Sequence, residues 1–199
     1  MNIDIMIDVE TLGKKDNTAI FQIYAEAFNK ESYEIIDTFE AFIDINTVDP
    51  KLIDMDALYW WTQNYPETFR KLTKVTNSHK SEGDVACDFY LWLSNLFRRG
   101  LSFGDLSNNL YIWGNGSVFD NVKIKNFLQR NGFEYPIFYR NDMDLRTILR
   151  LASEISGLEE EQIKKDCTDL EATSHDAKDD VKFQIRLLQL CENLIKEKQ

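Results

Sequence analysis

Three short stretches place acidic side chains where they could act together. In Ile7-Asp8-Val9-Glu10-Thr11, the alternation of a strand would project Asp8 and Glu10 from one face. Ile3, Ile5, Ile7 and Val9 would project from the other. Two neighbouring carboxylates repel, and they are costly to bury unless a cation lies between them. The second stretch is Trp113-Gly114-Asn115-Gly116-Ser117-Val118-Phe119-Asp120. Its glycines permit a tight turn and close ligand approach at a helix start, with Asp120 in the first turn. The third is His175-Asp176-Ala177-Lys178-Asp179-Asp180. There His175 would stand at the mouth of a helix. Asp180 would share an inward face with Ala177, Gln184, Leu187 and Cys191, while Asp179 would point about 100° away. Paired carboxylates bind hard divalent cations, and a histidine can take a proton from water at neutral pH.

Each stretch also has a plainer reading. Asp8 and Glu10 can end a solvated strand. Ser117 with Asp120 is also a capping box. Ser174 is a plausible N-cap, and the acids behind it suit any helix start. The order of the three narrows the choice. Asp-x-Glu on a strand, Gly-Asn-Gly-Ser-x-x-Asp at a helix start and a late His-x-Ala-x-x-Asp together resemble the DEDDh exonucleases of the DnaQ-like, ribonuclease H-like superfamily. The length, the Trp60-Trp61 pair and the WGNGSVFDN segment look like the group that holds a T-even phage exonuclease and the mycobacterial adenylate-specific exoribonuclease.

The resemblance implies a metal-dependent 3′→5′ exonuclease. Asp8, Glu10, Asp120 and Asp180 would hold two Mg²⁺ or Mn²⁺ ions, and His175 would be the general base. The substrate would be single-stranded or overhanging RNA or DNA with a free 3′ end, cut to nucleoside 5′-monophosphates. Some relatives are dimers, so a homodimer is possible. Weaker substrate contacts are Leu12 and Gly13 after the first motif, Asn115 in the glycine turn, and one of Trp60 and Trp61, with Trp61 preferred. Leu12 reads equally well as core. Asp144 reads as a helix N-cap, and His79 is assigned no role.

The elements that must position these groups read as an α/β fold, a ribonuclease H-like mixed sheet flanked by helices. Ile3 to Val9, Thr18 to Phe28 and Ser32 to Ile43 form a three-strand antiparallel meander. Leu110 to Trp113 adds a parallel strand, and Ile137 to Tyr139 a further short one. Helices are expected over Asp56 to Leu72 with a break near Pro66, and over Glu82 to Arg99, Ser117 to Arg130, Asp144 to Ser156, Glu159 to Asp166 and Asp176 to Lys196. The 199 residues suit a single domain covering 1–199.

Composition excludes other classes. No apolar run is long enough to span a membrane. The N-terminus carries Asp4 and Asp8 where a signal peptide needs a basic start, so a cytoplasmic protein of a bacterium or phage-infected cell is expected. Three scattered cysteines argue against a disulfide framework and a zinc site. A net charge of −11 argues against coating long nucleic acid, although not against gripping one end. Three rival readings are an endonuclease of the same fold, a non-catalytic module that binds nucleic acid or a polymerase, and a structural protein whose acids only solubilise it. The first would share the acids, and the second would be expected to lack an acid or the histidine.

Overall fold

The structure is a computed structural model that describes residues 3–100, 110–167 and 175–198. Strand β1 (Ile3–Thr11) is buried on both faces, as expected for a central strand covered by helices on either side. It pairs antiparallel with β2 (Ile20–Asn29), which pairs antiparallel with β3 (Ile35–Ile43). On its other side β1 runs parallel to β5 (Leu110–Gly114), with Met6 opposite Trp113. Two short edge strands, β4 (His79–Lys80) and β6 (Asp142–Asp144), complete the order β4-β3-β2-β1-β5-β6.

The alternation of β1 sorts the protein into two cores. Ile3, Ile5, Ile7 and Val9 face a cluster with Phe21, Ile23, Phe89 and Leu93. That layer is built by α1 (Met55–Asn64), α2 (Pro66–Thr73), α3 (Glu82–Gly100) and α4 (Asp120–Arg130). Met6, Tyr24, Phe28 and Trp113 face the other cluster. It is closed by α5 (Leu145–Ser156), α6 (Glu160–Lys165) and α7 (Ala177–Lys196). The meander, the break at Pro66 and the mixed sheet are those expected from the sequence. Among the described residues, no helix is long and apolar enough to cross a membrane. Cys87, Cys167 and Cys191 are free thiols.

Three expectations differ. Ile137 to Tyr139 is not a strand. The chain forms a 3₁₀ turn at Tyr139–Asn141, and pairing with β5 begins only at Asp142. Helix α4 starts at Asp120 rather than Ser117, and the residue before it, Phe119, makes no side-chain cap bond. The Ser117 backbone N–H instead donates to the Asp144 carboxylate at 2.6 Å, so the capping box does not form. The N-cap of α7 is Asp176, whose carboxylate accepts from the Lys178 N–H. Ser174 lies outside the described residues.

Candidate active site

The acids gather where β1 and β5 end and α4 and α7 begin. Asp8 and Glu10 share the β1 face opposite Ile7 and Val9, with Asp8 beside Tyr24 and Glu10 beside Gln22 across the β1–β2 ladder. Asp120 comes from the first turn of α4. The glycine turn lets that turn approach β5: a Cβ on Gly114 would lie 2.7 Å from the Asn121 side chain and 3.1 Å from the Asp120 Cβ. Asp180 lies on the buried stripe of α7 with Ala177, Gln184, Leu187 and Cys191. Donor atoms of Glu10, His175 and Asp180 fall within 4.8 Å of one another. Asp179 is not in this group, as the helix geometry predicts.

Electrostatics marks the cluster as unsatisfied. Burial, followed by Asp120, Glu10 and Asp180, pushes the Asp8 carboxyl well above the usual carboxylate range. Burial and then Asp180 raise Glu10 to about 8. Burial raises Asp180 to about 6, with Asp176 and Asp179 adding to it. Asp120 rises to about 7 through burial, although Lys123, the Val9 backbone and Arg146 pull it down. Few protein donors offset the repulsion. The Gln184 amide donates to Asp8 at 2.9 Å, while its own carbonyl oxygen is buried without a partner. Lys123 is itself buried, its amine 3.4 Å from the Phe119 ring centre. Carboxylates packed this way, held above the usual range first by burial and at Asp8, Glu10 and Asp180 also by neighbouring acids, fit hard divalent cations.

His175 stands at the Glu10–Asp180 end in an aromatic recess. Its ring is edge-on to Tyr65 at 4.3 Å, Trp60 at 5.3 Å and Trp61 at 5.8 Å. Burial lowers its pKa, so the ring is neutral and able to accept a proton at neutral pH. Its φ of 59° lies in the left-handed region, where a non-glycine residue is strained by about 1 kcal/mol. The next residue holds that turn in place. Asp176 accepts from the Gln22 side chain at 2.9 Å and from Lys71 at 3.3 Å, and the Gln22 carbonyl oxygen accepts from the Ala177 N–H at 3.2 Å.

The weaker substrate contacts fare differently. Trp61 is only 3% exposed, and its indole N–H donates to the Thr11 carbonyl, so it packs under the site instead of offering a face to a base. Its neighbour Trp60, rotated outward by one helical step, is 42% exposed. Leu12 is core rather than a wedge. The chain irregularity between Glu10 and Thr11 turns it inward, and its backbone is bonded to Ala19 and Asp54. Gly13 is buried, and a Cβ there would lie 2.2 Å from the Thr18 hydroxyl, so the need for glycine is packing. Asn115 accepts from Arg146 Nε at 3.4 Å. Asp144 caps α5 by accepting from the Thr147 N–H, and the His79 ring is engaged by Leu72 and Thr76.

Sequence reasoning missed Gln22, Gln184, Asp176 and Arg146. Gln184 had a legible signal, four residues after Asp180 on the same face. Gln22 had none, because only the strand register sets it beside Glu10.

The model of the 3′-5′ exoribonuclease Rv2179c-like domain matches residues 3–191. Similar solved structures include cell-death related nuclease 4 (CRN-4), at 15% identity and a TM-score of 0.68, covering 96% of this chain and 64% of that one. The nuclease domain of 3′hExo, a DEDDh family member bound to rAMP, shows 16% identity and a TM-score of 0.62 over 96% and 92% of the two chains. The zinc-bound E. coli ExoI–ssDNA complex shows 17% identity and a TM-score of 0.68 over 98% and 42%. The chain thus spans under two thirds of the length of CRN-4 and under half that of ExoI. No curated protein matches the sequence at a significant level. The fold is that of the ribonuclease H-like DEDDh nucleases, and the chain belongs to the 3′-5′ exoribonuclease Rv2179c-like family, a 3′-5′ exonuclease domain.

Proposed function

We propose that this chain, acting as one exonuclease domain, removes nucleotides stepwise from the free 3′ end of single-stranded or overhanging RNA, or of both RNA and DNA, releasing nucleoside 5′-monophosphates. The observation that carries the reading is a cluster of four carboxylates, each raised by burial, with a recessed histidine beside two of them, Glu10 and Asp180. Asp8, Glu10, Asp120 and Asp180 would hold two Mg²⁺ or Mn²⁺ ions. When bound, such ions neutralise phosphate charge and lower the pKa of the attacking water.

The chain's own groups supply the rest. His175, kept neutral by its aromatic recess, takes the proton of the attacking water. Gln22 and Asp176 hold its backbone turn, which fixes the ring without a metal bond. Gln184 fixes one Asp8 oxygen, leaving the carboxylate oriented toward the other acids. The exposed face of Trp60, beside His175, offers a stacking surface for the terminal base. A single unstacked nucleotide suits this recess, whereas a duplex end would first have to be melted.

A cytoplasmic setting in a bacterium or phage-infected cell belongs to the same reading. A homodimer belongs to the same reading, and sedimentation tests it. The deciding experiment digests matched 5′-labelled single-stranded RNA and DNA with Mg²⁺ or Mn²⁺. A ladder shortening from the 3′ end, abolished by chelator, is expected. Rapid cutting of a closed single-stranded circle would overturn the reading in favour of an endonuclease.

A further inference from the structure

A protein with a net charge of −11 must hold a polyanion beside four carboxylates, so a cation placed at that spot carries weight. Near the site, several are already engaged. Lys71 pairs with Asp176, Lys178 with Glu40, and the buried Lys123 donates to the Lys14 carbonyl. Arg146 is different. It is exposed, and among the described residues its only hydrogen bond is made through Nε, to Asn115. Both terminal nitrogens of the fork therefore remain for a ligand.

Its position is fixed rather than incidental. Gly114 pairs with Asp144 at the β5–β6 register, two residues before Arg146. The Asp144 carboxylate accepts from both the Ser117 and Thr147 N–H groups, tying the glycine turn to the start of α5. The guanidinium then packs over Gly116, where φ is 110° and a Cβ would lie 3.2 Å from Arg146 Cζ. The glycine turn thus makes room for this side chain as well as for Asp120.

Arg146 and His175 mark different ends of the cluster. His175 stands with Glu10 and Asp180, whereas Arg146 packs over Gly116, in the turn that leads into Asp120. In-line displacement puts the attacking water and the departing 3′-oxygen on opposite sides of the phosphorus. If His175 marks the water side, the Asp120 end is where the strand continues upstream. We propose that Arg146 grips the phosphate of the linkage immediately 5′ of the one being cut, with its fork on the two non-bridging oxygens. This rests on the exonuclease reading above. A guanidinium suits the task better than an ammonium, because its planar fork matches two phosphate oxygens at once.

The test uses 5′-labelled oligonucleotides identical except for one neutral methylphosphonate at the linkage next to the scissile one. For the wild type, the neutral linkage should raise KM roughly tenfold, the scale of one charge-assisted contact, with a smaller effect on kcat. Arg146→Ala should raise KM to a similar degree on the unmodified strand and be indifferent to the neutral linkage. Arg146→Lys should recover part of the loss. The slope of log affinity against log salt, read by anisotropy with Ca²⁺ in place of Mg²⁺, should fall by roughly 0.7 in Arg146→Ala. Thermal melting should be unchanged, and if Arg146→Ala unfolds, Arg146→Met repeats the comparison. Equal sensitivity of wild type and variant to the neutral linkage would overturn the proposal. Failure of the wild type to shorten the unmodified strand would overturn the exonuclease reading and this proposal with it.

Discussion

Strand β1 carries buried carboxylates at both ends of the same face, and the two ends differ in what surrounds them. Near its start, Asp4 accepts from the Trp113 indole N–H at 2.6 Å. Lys30 sits over the Trp113 and Tyr33 rings and pairs with Glu192, which also accepts from the Tyr33 hydroxyl at 2.8 Å. Burial still raises Asp4 to about 6, but a donor and a cation oppose it. Near its end, Asp8 and Glu10 meet chiefly other acids. A buried acid with its own donors is a structural joint. Buried acids whose neighbours are acids form a site that needs cations from outside.

Neutralising one acid at each end of β1 tests the contrast most directly. Asp8→Asn should lower turnover on the order of 10⁴-fold or more, as for groups that act as a unit. It should leave the metal-free protein as stable or more so, because it removes repulsion. Asp4→Asn should keep near-normal turnover, while Asp4→Ala should cost about 1–3 kcal/mol by orphaning the Trp113 N–H. Rate assays with chemical denaturation separate the two. An inactive but stable Asp4→Asn would erase the distinction.

A somewhat smaller effect is expected from the base. His175→Ala should reduce kcat by about 10²–10⁴-fold with metal affinity, read by calorimetry, little changed. A large loss of metal affinity would make His175 a ligand instead.

The folded-state carboxyls of Glu10, Asp120 and Asp180 lie at about 8, 7 and 6, above their ordinary values, and Asp8 is raised too. Raised carboxyls bind protons on folding, so their contribution is fully present below the usual carboxylate range. It is lost as pH rises through about 6 to 8. The metal-free protein should therefore melt at lower temperature at pH 8.5 than at pH 5.5. Saturating Mg²⁺ or Mn²⁺ should stabilise it more at the higher pH. Equal stabilisation at both, in scanning fluorimetry, would argue against metal binding by these acids.

The smallest effect separates adjacent acids on one helix. Asp179→Asn should change turnover by less than about threefold, because Asp180 is the residue gathered with Glu10 and His175. Should Asp179→Asn match Asp180→Asn in an activity assay, the assignment of the α7 face is wrong.

Local sequence determined a good deal here. The period of two in β1 put Asp8 and Glu10 on one face, and the period of 3.6 in α7 chose Asp180 over Asp179. The Asn131-Gly132 stop and the Asp144 cap are equally local, since each depends on hydrogen bonds within a few residues. Tertiary structure decided what depends on partners distant in the chain. It freed Ser117 from its expected capping box, because Asp144, 27 residues on, takes its N–H. It buried Trp61 and left Trp60 in the open, since only the packing of α1 on the sheet says which flank of a tryptophan pair is inside. It set Gln22 against Asp176 across 154 residues and Gln184 against Asp8 across 176. Periodicity reports which face a residue occupies. The group it meets there is set by strand register and helix docking, which are long-range properties of the folded chain.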